Sequence, residues 1–95
     1  MKVSTRFYAF LREMTGLESD VIVLEDGSTV ADFLSAIRGR YGAVLSRIFG
    51  EDGLLRSGFA VALNGENVER REWGRKVLRD GDVVVILPPI AGGLI

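Results

Sequence analysis

The stretch that most limits what this chain can fold into is "LRDGDVVVILPP", residues 78 to 89. Asp80-Gly81-Asp82 signals a turn, because aspartate side chains bond nearby backbone amides and glycine takes up turn angles without steric cost. Val83 to Leu87 then runs without a polar residue. A strand with one wet face alternates, whereas an unbroken β-branched run is the mark of a strand in the middle of a sheet. Pro88 and Pro89 end it, since proline brings no N–H to a ladder.

The remaining elements are ordered by glycine punctuation. Val3, Thr5, Phe7 and Ala9 alternate with Ser4, Arg6, Tyr8 and Phe10, which predicts a strand through Phe10 with the first set facing inward. "LREMTG" reads as a short helical turn closed by Gly16, and "DVIVLEDG" as a second strand ending in an Asp26-Gly27 turn. "STVADFLSAIRGRYG" places Val30, Phe33, Leu34, Ile37 and Tyr41 at helical spacing. Ser28 or Thr29 caps this helix, and Asp32 lies three residues after Thr29. "AVLSRIFG" continues as a second short helical piece ended by Gly50, and "FAVALNGENVE" is a hairpin about Asn64-Gly65. Residues 69 to 77 carry no clear period. The order strand, strand, helix, two short strands, final strand is an α+β ubiquitin-like β-grasp, a mixed sheet with one main helix on one face. The predicted domain covers residues 1–87, and residues 88–95 form an extended C-terminal tail.

Composition removes many chemistries. The 95 residues suit one domain, and 47% apolar with 26% charged residues is the balance of a globular chain. Twelve basic against thirteen acidic residues leave a formal charge of −1, so no net field attracts nucleic acid or anionic lipid, and neither is expected as a partner. Cysteine and histidine are absent. Thiol nucleophiles, disulfides, thiolate zinc or iron–sulfur sites and imidazole acid–base chemistry go with them, and so does a β-grasp ferredoxin. No apolar run is long enough to span a bilayer, and a cytoplasmic protein is expected. Asp80 and Asp82 are read as turn residues rather than metal ligands, and no metal is expected. Trp73 is read as a packing residue, and the mixed charges from Glu69 to Lys76 as a solvated face.

The motifs now quoted carry a resemblance. "LRDGDVVVILPPIAGG" resembles the L-x-D-G-D-x-V-x-x-x-P-P-x-x-G-G ending of the MoaD/ThiS group of ubiquitin-like sulfur carriers. "FYAFLREMTG" and "VALNGENV" fit the same group, and the chain is nearer to the MoaD type, the small subunit of molybdopterin synthase. The resemblance implies a carrier without catalytic residues or bound cofactor. A ubiquitin-activating-type enzyme spends ATP to turn the terminal glycine carboxylate into an acyl-adenylate, and a sulfur donor displaces AMP to leave a thiocarboxylate. The implied reactive residue is Gly93, preceded by Gly92, and a molybdopterin synthase large subunit is the implied partner.

Elementary chemistry fits that role. Pro88-Pro89 holds the tail stiff and extended, and glycines beyond it form a thread thin enough for a narrow channel. A terminal carboxyl, with a reference pKa of about 3.3–3.7, is already an anion at neutral pH and needs no base. In this sequence Gly93 is bonded to Leu94, so Leu94-Ile95 is read as a blocking extension. The implied trimming enzyme is a JAMM-type peptidase cutting between Gly93 and Leu94.

Two other functions stay open: a protein modifier that joins the same Gly93 to lysine amines, and a β-grasp binding module in which Gly-Gly is incidental. The expected partner surface is Tyr8, Phe10, Val85 and Leu87 on the sheet face away from the helix, continued by Pro88 and Pro89. Such a contiguous apolar patch beside the tail marks a docking site.

Overall fold

A computed structural model describes residues 1–89. The strands are β1 (Lys2–Arg6), β2 (Ser19–Val23), β3 (Ala60–Leu63), β4 (Glu66–Val68) and β5 (Val84–Leu87), and the helices α1 (Ala9–Thr15) and α2 (Val30–Tyr41). β1 pairs antiparallel with β2, and β3 pairs antiparallel with both β4 and β5. Among the described residues a parallel bridge, Ser4 with Val83, joins the two ladders, supported by Ser4 N donating to Asp82 O at 2.9 Å. The strand order across that seam is 2-1-5-3-4, with β5 in the middle as its apolar run requires. This is the ubiquitin-like β-grasp expected from the order of elements.

The main helix begins where the capping residues place it. Thr29 is the N-cap: Asp32 N donates to Thr29 Oγ1 at 3.3 Å, and Thr29 N donates to Asp32 Oδ2 at 2.8 Å. This reciprocal box satisfies two of the amides a helix start leaves unpaired. Val30, Phe33, Leu34 and Ile37 are buried in one core with Val3, Ile22, Val61, Val84 and Ile86 of the sheet. The Asn64-Gly65 turn has φ of +51° and +86°, the mirror-image turn suited to the twist of a tight hairpin.

The first strand is shorter than the alternation predicts, and Tyr8 and Phe10 are not strand residues. β1 stops at Arg6; Tyr8 is still extended, Ala9 takes φ +51°, and α1 starts there without a capping side chain. Phe7 is buried as expected, but Ala9 is exposed rather than facing the helix. Turning into α1 at this point brings Leu11 into the core. A strand prolonged through Ala9 would offer only a methyl group there, so the larger apolar burial prevails. Gly16, at φ +74°, closes α1 with its N–H on Arg12 O.

The segment 69–77 has an organisation that only tertiary contacts supply. Arg70–Glu72 is a 3₁₀ turn, and Trp73 is buried with its indole N–H donating to Val68 O at 2.8 Å. The chain then crosses the start of α2, where Val30 N donates to Lys76 O and Ala31 N to Trp73 O, both at 2.9 Å. First-turn amides with no partner inside the helix are thereby satisfied. The Asp80-Gly81-Asp82 turn is stitched to its neighbours: Lys2 N donates to Asp80 Oδ1, Arg79 N to Asp82 Oδ2, and Asn64 Nδ2 to Asp82 Oδ1.

Candidate functional site at the root of the tail

β5 sorts its side chains by alternation. Val84 and Ile86 point into the core, while Val85 is half-buried and Leu87 is 37% exposed on the uncovered face. The antiparallel ladder with β3 ends at Ala60 opposite Leu87. Pro88 follows with no N–H to extend it. The last strand therefore delivers the chain to one end of the sheet, beside the start of β3.

Tyr8 and Phe10 reach the same end by a different route from the one predicted. Tyr8 follows two residues after the end of β1, the strand that the Ser4–Val83 bridge sets parallel to β5. Tyr8 is 46% exposed there. Phe10 is 39% exposed on α1, and its ring meets Phe59 edge to face, centroids 6.2 Å apart. Phe59 directly precedes β3 and packs against the core. Phe10 thus caps the end of the sheet instead of lying on its outer face.

The uncovered face is wider than the sequence reading makes it. Val21 lies opposite Ser4, and Ala62 and Ala60 lie opposite Val85 and Leu87, so all share that face. Val21 and Val23 are exposed, and Ala60 and Ala62 are half-buried. The signal was present in "DVIVL", whose valines occupy the phase opposite to buried Ile22. Pro88 is half-buried and Pro89 exposed. Gly92, Gly93 and Leu94 lie outside the described residues.

No helix among the described residues is long and apolar enough to cross a membrane. Asp80 Oδ1 accepts from the Lys2 N–H of β1, and the two Asp82 oxygens accept from Arg79 N and the Asn64 side-chain amide.

Comparison with known proteins gives a consistent picture. The sequence model of the ThiS family matches residues 5–93. Small archaeal modifier protein 3 of Haloferax volcanii is 34% identical over 98% of this chain and all of its own length. The molybdopterin synthase sulfur carrier subunit of Chlamydomonas reinhardtii is 31% identical over the same shares. The crystal structure of the modifier SAMP1 from Haloferax volcanii superposes with a TM-score of 0.84, at 31% identity, covering 98% of this chain and 100% of that one.

Proposed function

The chain belongs to the ThiS family of small ubiquitin-like sulfur carriers and modifiers, and from that premise we propose that its working form ends at Gly93 and carries an activated acyl group there. The observation that carries this reading is where the family match stops. It ends at Gly93, one residue before Leu94.

Hydrolysis of the Gly93–Leu94 peptide bond adds water across it, leaving a Gly93 carboxylate and a free Leu94 amine. A JAMM-type peptidase is the proposed agent. A carboxylate oxygen then attacks the α-phosphorus of ATP in an adenylating enzyme, and pyrophosphate leaves. Hydrosulfide, or its enzyme-held equivalent, attacks the acyl carbon; AMP leaves with the bonding pair, and a thiocarboxylate remains. The chain contributes no side chain to these bonds. It is a carrier, not a catalyst, and its part is to present the terminus and dock. ATP is consumed by the activating enzyme and is not held here.

The sheet face of Val85, Leu87, Val21 and the alanines of β3, with Tyr8, Phe10, Pro88 and Pro89 at its end, is the proposed docking surface. Similarity to the Chlamydomonas reinhardtii subunit supports a molybdopterin synthase large subunit as one occupant, and the adenylating enzyme is the other proposed one. A second reading, conjugation of Gly93 to lysine amines, is favoured by the names of the archaeal relatives. Both readings share the adenylate. ATP–pyrophosphate exchange by the adenylating enzyme of the same organism, with the chain ending at Gly93 as substrate, tests it. Exchange is expected; its absence refutes the reading.

A further inference from the structure

The tail does not leave the sheet at its last hydrogen bond. The ladder pairs Val61 with Ile86 and Ala60 with Leu87, so the same register puts Phe59 opposite Pro88 and Gly58 opposite Pro89. Prolines cannot extend the ladder, yet the register persists. A Cβ built on Gly58 falls 3.3 Å from the Pro89 Cβ and 3.7 Å from its Cγ. Carbon atoms pack best at about 3.5–4.0 Å, so a side chain at residue 58 would press on the ring and move it by a few tenths of an ångström. Gly58 also holds φ +95°, a conformation that side-chain-bearing residues rarely adopt. The turn that offers it is closed by Phe59 N donating to Arg56 O at 3.4 Å.

We infer that Gly58 is a positioning residue: it seats Pro89 and thereby sets the direction in which the chain leaves the sheet. The inference rests on the reading that the Gly93 carboxylate is the activated group. Pro88-Pro89 has fixed φ angles, which limits how far these two residues can absorb a displacement at the seat. Adenylation needs a carboxylate oxygen aligned with phosphorus, and misplacement by a fraction of the bond-forming distance is costly in rate. Of the docking face, a Cβ added at Gly58 meets Pro89 alone, so turnover is expected to move more than affinity.

The test uses chains ending at Gly93. Gly27 provides the control: its φ is +90°, and an added Cβ there has nothing within 4 Å. Gly58→Ala and Gly27→Ala therefore share the backbone strain, and both should lower the melting temperature. For adenylation, KM for the carrier should stay unchanged in Gly27→Ala and change by less than turnover in Gly58→Ala. Turnover should fall severalfold, on the order of tenfold, in Gly58→Ala alone. In a Pro89→Gly background, Gly58→Ala should cause no further fall. Unchanged turnover in Gly58→Ala, an equal fall in Gly27→Ala, or an equal fall with and without Pro89 overturns the inference. A parent chain that is never adenylated contradicts the activation reading instead. The seat is then judged by nuclear Overhauser contacts between Gly58 and Pro89, expected in the parent and lost in Gly58→Ala; their absence from the parent also overturns it.

Discussion

The Tyr41 hydroxyl, at the end of α2, donates to the Asp20 carboxylate on β2. Arg40 Nη1 reaches the same oxygen at 2.9 Å and Val21 O at 3.2 Å, while Val21 N donates to the other Asp20 oxygen at 2.7 Å. Ser4 donates towards β5, so Val21, opposite it, turns its backbone groups to the free edge of β2. Asp20 and Arg40 occupy both, closing the edge to stray pairing.

This cluster predicts a pH dependence. Burial, the largest influence on Asp20, raises its pKa. The bonds from Tyr41, Arg40 and Val21 N–H, with the Arg40 charge, outweigh burial and hold it below the usual aspartate value. Its contribution is therefore present above the unfolded value of about 3.9 and lost as pH falls through the lower folded one. Burial raises the Tyr41 hydroxyl, and Asp20 raises it further, so its contribution is full below about pH 10 and lost as pH rises through the folded value. Asp20→Asn should destabilise by about 1 kcal/mol at neutral pH. In denaturant titrations the gap to the parent should close below about pH 4; a gap independent of pH would contradict the assignment.

The core rests on α2. Ile37 is fully buried between helix and sheet, and Ile37→Ala should cost about 2–5 kcal/mol. Chemical unfolding with an unchanged slope would show that only stability moved. A loss below about 1 kcal/mol would mean that the site collapses around the missing atoms.

Leu87 and Phe10 separate docking from folding. Leu87→Glu should abolish binding to the large subunit or adenylating enzyme and leave the melting temperature nearly unchanged. Phe10→Glu should also abolish binding, but with a stability loss of about 1 kcal/mol from the Phe59 ring contact. Calorimetry and thermal melts on the same samples read both. Collapse of Leu87→Glu would place that side chain in the core.

Local signals were legible where one segment contains both partners of an interaction. Thr29 and Asp32 announce the helix start three residues apart, Asn64-Gly65 announces its own hairpin, and the DGD turn with its apolar run gives the central strand and its phase. The end of β1 was hidden because period two continues through Phe10. What stops the strand is the burial of Leu11, which depends on residues distant in sequence. Phe59 meeting Phe10 and Gly58 meeting Pro89 were equally hidden, since the pairs lie 49 and 31 residues apart.

Whether the chain can be activated turns on the bond after Gly93. Full-length chain and chain ending at Gly93 are each incubated with ATP, the adenylating enzyme and a sulfide donor, and intact mass is read. The predicted result is a mass gain equal to replacing one oxygen by sulfur on the chain ending at Gly93, with no gain on the chain that retains Leu94-Ile95. Thiocarboxylate formed on an intact Ile95 terminus would contradict the account.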